Sequence, residues 1–220
     1  MQIKGDSMVK NIKKIALTFF LSSSLFALTE GVEYNIAENP IPNSKNSLTE
    51  IWSYTCSHCY LHQAYGTLDI IKDQIKDLKI NMMMVKSWGE FGKEMANLLA
   101  YAEYKDSKEK LNTNDEKSNY YNVSRVYFVE IFKNNKTWKN SDDFYSLGLE
   151  VLGISKKSLD KFLETPEGKY LISSTDVAED IAMKVGTPAF VVNGKYIINL
   201  AHVSSPQDLI DLINELLKLK

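Results

Sequence analysis

A chain of 220 residues with 44% hydrophobic and 25% charged side chains has room for one large domain, or for a core carrying an insertion. Its formal charge of −2, with no basic stripe interleaved with aromatics, gives no basis for nucleic-acid binding. Two cysteines are too few for a disulfide scaffold.

The chain opens on Lys10, Lys13 and Lys14, followed by an uncharged stretch from Ile15 to Leu28. A basic segment, a short apolar segment and closing small residues describe a secretory signal peptide, expected over residues 1–27 with Met8 as an alternative start. The apolar run is short of the ~20 residues of a comfortable membrane span. An uncleaved anchor or a buried terminal helix is the competing reading. Removal of residues 1–27 takes away four lysines and one aspartate and moves the formal charge from −2 to −5. Export implies an oxidising compartment, in which a dithiol is held as a disulfide.

Beyond the signal, Val32 to Ile36 reads as an edge strand, then a loop with Pro and Asn runs through Asn46. Leu48 to Thr55 is a strand of mixed alternation. A helix is expected from Cys56 to about Leu78, kinked at Gly66, with Leu68, Ile71, Ile75 and Leu78 on one face. Lys79 to Val85 is a second central strand, and the order strand–helix–strand implies a parallel pair. From Gly92 to Glu164 the pattern is helical: Met95, Leu98, Leu99 and Ala102 mark one helix and Val123 to Phe132 a second. Phe144, Leu147 and Val151 behind a Ser141 cap mark a third, and Leu159, Phe162 and Leu163 behind Ser155 a fourth. The polar run from Lys105 to Asn119 reads as a long exposed connection or a frayed helix end. Thr165 and Pro166 open a helix expected to continue to Val185, where Gly186-Thr187-Pro188 stops it. Ala189 to Ile198 is a hairpin turning at Asn193-Gly194. Ser205, Pro206 and Asp208 open a last helix with Leu209, Leu212, Ile213, Leu216 and Leu217 on its apolar face.

The chemistry sits at Trp52-Ser-Tyr-Thr-Cys56-Ser57-His58-Cys59-Tyr60, which holds both cysteines of the chain. A Cys-x-x-Cys pair between a strand and a helix suits thiol–disulfide exchange, which needs a thiolate. Cys56, where the helix begins, faces unpaired N–H groups and the positive end of the dipole. His58 adds charge and a donor. Both favour the reduced form, and so make the disulfide a stronger oxidant. Cys59, a turn further on, is the more buried, resolving thiol. So short a disulfide loop gains little entropy, which argues against a purely structural role. Haem attachment needs His where Tyr60 stands. Zinc is the serious rival, with Cys56, Cys59, His62 and conceivably His202 as ligands, although structural zinc sites draw on two matched pairs and His62 reads instead as a polar residue on the helix surface. Lesser features read as bland: Met82-Met83-Met84 as core filling, the sequon at Asn122 as incidental, and Trp88, Phe91 and Phe190 as either an apolar surface near the site or core.

On these residues the chain resembles the thioredoxin superfamily, and within it the periplasmic DsbA-type disulfide oxidoreductases. Leu48 to Tyr60 is similar to that family's strand and active site, and Val185 to Tyr196 to its cis-proline loop and hairpin. The helical block lies where the family inserts a helical domain. The resemblance implies an α/β thioredoxin fold with an inserted all-helical domain. It divides the chain into a signal peptide (1–27), two thioredoxin-fold parts (28–92 and 165–220) and the insertion between them (93–164). It implies Cys56 as nucleophile, Cys59 as resolving thiol, His58 as a catalytic neighbour and Glu50 as a buried acid handling protons near Cys59. Pro188 is then cis and, with Thr187 and Ser57, meets an extended substrate strand. Three residues bear on the direction of transfer: Ser57 stands where the best-studied members have Pro, Thr187 before the proline is a residue also seen in isomerases and reductases of the superfamily, and Met82 stands where some members have a lysine facing the acid.

The expected function is introduction of disulfides into exported proteins by donation of the Cys56–Cys59 disulfide. A reductase or isomerase is the nearer alternative, and a non-catalytic zinc- or peptide-binding protein the further one. No cofactor is implied. The expected partners are reduced or unfolded exported proteins and a DsbB-like, quinone-linked membrane reoxidant, with a monomer in the periplasm.

Overall fold

The computed structural model describes residues 28–219; the signal-peptide expectation for residues 1–27 lies outside them. Among the described residues, five strands form one sheet: β1 (Tyr34–Ile36), β2 (Ser47–Trp52), β3 (Lys79–Met84), β4 (Ala189–Val192) and β5 (Tyr196–Ile198), in the order β1-β5-β4-β2-β3. β2 runs parallel to β3 and antiparallel to β4, so Glu50 has Met82 on one side and Phe190 on the other. The β4–β5 hairpin turns through Asn193, Gly194 and Lys195, with Lys195 N donating to Val192 O at 3.0 Å and both Asn193 and Gly194 at positive φ (53° and 67°).

Strand side chains alternate between two faces, and each face has its own core. Leu48, Trp52, Ile80, Met82, Met84, Phe190 and Val192 join the larger apolar cluster. Ile51, Val85, Ala189, Val191 and Ile197 join the smaller one, together with Ala178, Ile181 and Ala182 of α8 (Asp176–Val185). On the larger-cluster side, α1 (Ser57–Ala64) and α2 (Thr67–Gln74) carry the chain from β2 to β3, and α9 (Pro206–Lys218) packs on β4. Phe91 and Phe190 are core residues, while Trp88 is partly buried against the smaller cluster.

Between β3 and α8 lie α3 (Gly92–Glu109), α4 (Asn119–Phe132), α5 (Ser141–Leu152), α6 (Lys156–Leu163) and α7 (Pro166–Ser173). α3 is their centre, packing against the other four. α4 leans on α1: the Tyr60 ring stacks on Phe132 at 5.1 Å and meets Phe128 at 6.0 Å. Trp52 Nε1 donates to Tyr120 Oη at 3.2 Å. The arrangement is the α/β sheet with inserted helices that the resemblance implies. Among the described residues no helix is long and apolar enough to cross a membrane.

Several local expectations are corrected. The helix after Cys56 breaks in two rather than kinking, because Gly66 adopts φ 64° in the left-handed region and starts α2 afresh. The helix expected from Thr165 to Val185 also breaks. Ser174 Oγ and Thr175 Oγ1 donate back to the carbonyls of Leu171 and Ile172, offering the backbone an alternative to the helical ladder. α5 is capped by Asn140, whose side chain accepts from Asp143 N at 2.9 Å, while Ser141 Oγ turns to Glu94. β2 stops at Trp52, not Thr55. The run from Lys105 to Asn119 is exposed only in part: it completes α3 and is then tied back to the core. Asp106 is buried and accepts from Asn119 N (2.7 Å), Asn119 Nδ2 (2.6 Å) and Tyr120 N (2.8 Å), and Thr113 Oγ1 accepts from Met82 N (2.8 Å) at the outer edge of β3.

Candidate active site

The residues following β2 decide how the cysteines are presented. Ser53 to Thr55 form a turn in which Cys56 N donates to Ser53 O at 3.0 Å and the hydroxyls of Ser53 and Thr55 lie 3.0 Å apart. The turn delivers Cys56 in extended conformation (φ −87°, ψ 111°) as the N-cap of α1. Its Sγ accepts from Cys59 N at 3.1 Å, and its carbonyl accepts from Tyr60 N at 3.0 Å. A side chain in this position takes up one of the four N–H groups that the first turn leaves unpaired. The first turn of α1 contains no acid that would oppose a negative charge there. Cys56 is partly exposed and Cys59 only 2% so, and the two are joined by a disulfide with their Cα atoms 5.3 Å apart. The bond is thus reached from the Cys56 side. Ser57 and His58 are exposed beside it.

The loop before β4 comes to the same end of the sheet. Ile51 pairs with Ala189, and continuing that antiparallel register sets Pro188 opposite Trp52 and Thr187 opposite Ser53. The Thr187–Pro188 peptide bond is cis, and both residues are partly buried.

Glu50 lies beneath, on the larger-cluster face of β2 and 2% exposed. Burial raises its carboxyl above the usual range, and the His62 imidazole opposes the shift only in part. The side chain is thus enclosed rather than facing solvent. Met82 lies opposite it and leaves it without a cation from β3. The group that meets it comes from α1: His62 Nδ1 stands 3.5 Å from Glu50 Oε1. That separation is electrostatic contact rather than a made hydrogen bond, and among the described residues neither atom has another hydrogen-bond partner.

His62 is the residue that sequence reasoning missed, having placed it on the helix surface. The signal available was its spacing: three residues after Cys59 puts both on one face of α1, turned to the sheet. Its ring stacks on Phe190, with centroids 5.3 Å apart and planes 10° from parallel. Turned inward in this way, it is drawn away from the zinc set in which it was a candidate, and His202 sits exposed in the 3₁₀ turn Leu200–His202 beyond β5. Beside the site runs an apolar groove of about 510 Å³ whose lining includes His62, Tyr65, Ile70, Phe190, Val203 and Leu209. Tyr65 and Ile70 are 75% and 50% exposed on its rim, unusual for side chains of their size.

No family model matches the chain. It is 30% identical over 210 residues to the thiol:disulfide interchange protein DsbL of Escherichia coli O6:H1, covering 93% of this chain and 94% of that one. To the thiol:disulfide interchange protein DsbA of Dickeya dadantii it is 29% identical over 180 residues, covering 80% and 79%. Among solved structures, DsbL of Salmonella enterica serovar Typhimurium superposes with a TM-score of 0.79 at 28% identity, over 88% of this chain and 99% of that one.

Proposed function

The chain belongs to the DsbL/DsbA family of thiol:disulfide interchange proteins, and from that premise we propose that it works as an oxidase, donating its Cys56–Cys59 disulfide to reduced proteins after their export. It is a protein disulfide oxidoreductase of thioredoxin fold with a helical insertion, and the Cys-x-x-Cys pair is its redox centre. The observation that carries the direction of transfer is the position of Cys56 Sγ, 3.1 Å from the Cys59 N–H at the start of α1. On reduction the same N–H and helix terminus face a thiolate, and whatever stabilises the thiolate makes the disulfide more oxidising.

In this reading a substrate thiolate attacks Cys56 Sγ, the bond to Cys59 breaks, and its electron pair stays on Cys59. A second substrate thiol then attacks the mixed disulfide, releases Cys56 and leaves the substrate disulfide and the reduced pair. His58, exposed next to Cys56, adds a donor to the Cys56 thiolate. Thr187 offers its backbone to an extended substrate segment, Pro188 holds that loop against the site, and Ser57 borders the same approach. Unfolded proteins supply the apolar side chains that suit the neighbouring groove. Glu50 takes and returns the proton of Cys59 (residues 93–164 serve as the inserted domain, and 28–92 and 165–220 as the two thioredoxin-fold parts). The site of action is the periplasm, the protein is a monomer, and a DsbB-like, quinone-linked membrane protein reoxidises it.

The test is equilibration of the purified protein with glutathione redox buffers, reading the Cys56–Cys59 pair by alkylation. An oxidase gives a reduction potential well above that of thioredoxin and oxidises a reduced peptide stoichiometrically. A potential near thioredoxin's would overturn the oxidase reading in favour of a reductase.

A further inference from the structure

The catalytic pair needs protons as well as electrons, and the residue best placed to move them is not one of the Cys-x-x-Cys neighbours. We infer that His62 is a proton relay, exchanging protons between Glu50 and the open groove while Cys59 passes between disulfide and thiol. The inference rests on the reading of Cys56–Cys59 as the exchanged pair.

Three observations carry it. His62 follows Cys59 by one turn on the sheet-facing side of α1, and its Nδ1 is buried 3.5 Å from Glu50 Oε1. The ring is sandwiched in orientation by Phe190, which lies across the sheet register from Glu50. The side chain is nevertheless 27% exposed and forms part of the groove wall, so one edge of the imidazole meets the interior acid and the other meets solvent. His62 and Glu50 also border a second, very small cavity, about 20 Å³, closed by Met82, Asn114 and Tyr121 among others. Among the described residues, α2 contributes Asp69 to that cavity and α4 contributes Tyr121, with Tyr120 nearby; β3 and β4 contribute Met82 and Phe190. Burial raises Asp69, Tyr120 and Tyr121 as it raises Glu50, and it is His62 that stands against the Glu50 carboxyl. An imidazole both takes and releases protons in the neutral range, on two nitrogens that can face different compartments.

The steps balance. When a substrate thiolate opens the disulfide, Cys59 Sγ keeps the electron pair and takes the proton of the Glu50 carboxyl. Glu50 recovers a proton from His62 Nδ1, and the imidazole recovers one from solvent at Nε2. In reoxidation the traffic reverses. Glu50 first passes its proton through His62 to solvent, the resulting carboxylate takes the proton of Cys59, and the Cys59 thiolate attacks Cys56 in the mixed disulfide and expels the other thiolate.

The experiment follows the reduced full-length protein reacting with oxidised glutathione, in which attack by Cys56 and closure by Cys59 are read as successive steps in one quenched time course. His62→Phe keeps an aromatic ring against Phe190, and His62→Ala opens space beside the groove. The ratio of the closure rate to the attack rate is expected to fall about tenfold or more in both, with closure rising in simple proportion to hydroxide. Added imidazole is expected to restore closure in His62→Ala but not in the double variant Glu50→Gln, His62→Ala. Wild-type closure ratios and pH profiles in both single variants, alongside normal attack by Cys56, would overturn the relay and leave the oxidoreductase reading intact. A wild-type protein that forms no mixed disulfide with glutathione would overturn both.

Discussion

At Cys56 a single contact, 3.1 Å from Cys59 N to Sγ, joins helix capping to redox chemistry. The same donor that caps α1 is available to a thiolate, so folding and reduction draw on one N–H group. In the proposed mechanism His58 is the second contributor, and its replacement by Leu should lower the thiolate fraction of reduced protein at neutral pH, read by ultraviolet thiolate absorbance. An unchanged fraction would remove His58 from the mechanism. Cys56→Ser should abolish oxidation of a reduced peptide outright, because no other cysteine but Cys59 exists in the chain. Glu50 gives a prediction with a definite sign. Its folded-state carboxyl titrates above the ordinary value of 4.5, so the fold penalises the charged form. The group's favourable contribution is therefore complete below pH 4.5 and is lost as pH rises through the raised folded value. Glu50→Gln should match the parent in acid and become progressively more stable than it towards neutral pH. Urea titrations at a series of pH values measure this, and a constant offset would contradict it.

At the scale of elements, the site depends on α4, which lies far from it in sequence. Asp106, at the end of α3, accepts three hydrogen bonds from the first residues of α4, and Ser118 caps the same helix by accepting from Tyr121 N at 3.0 Å. Asp106→Ala leaves those buried donors without a partner and should cost about 2–3 kcal/mol by urea unfolding. Because α4 carries Tyr120, Phe128 and Phe132 against Trp52 and Tyr60, the variant should also quicken proteolysis near α1. Asp106 was not legible in the sequence, since a charged side chain in a polar run reads as solvated. The two broken helices were also illegible: Gly66 permits either a kink or a restart, and Ser174 and Thr175 end a helix only by bonding back to it. Elements with strong local signals came through: the hairpin at Asn193-Gly194, and the Ser155, Thr165 and Ser205 caps, each accepting from the backbone N–H three residues on.

For the whole molecule, the preference for the thiolate has a thermodynamic counterpart. In the proposed mechanism the folded protein stabilises the Cys56 thiolate by its place at the helix terminus, and the unfolded chain does not. The reduced protein should therefore resist urea better than the oxidised one at neutral pH. The margin should shrink as acid protonates the thiolate. Equal midpoints, or a more stable oxidised form, would show that the disulfide is not destabilised relative to the dithiol.

The sequence by itself determined the chemistry and the architecture: Cys56-Ser-His-Cys59 between a strand and a helix, the Gly186-Thr187-Pro188 loop ahead of a hairpin, and a helical block in between. These are legible because they rest on neighbours in the chain, where turn residues, caps and apolar periodicity act over a few positions. Tertiary structure alone decided what meets Glu50. Met82 and Phe190 flank it through strand register, and His62 reaches it from the helix packed above. Register and helix seating are set by the fit of both sheet faces to their two cores, a property of the assembled molecule that no local stretch encodes.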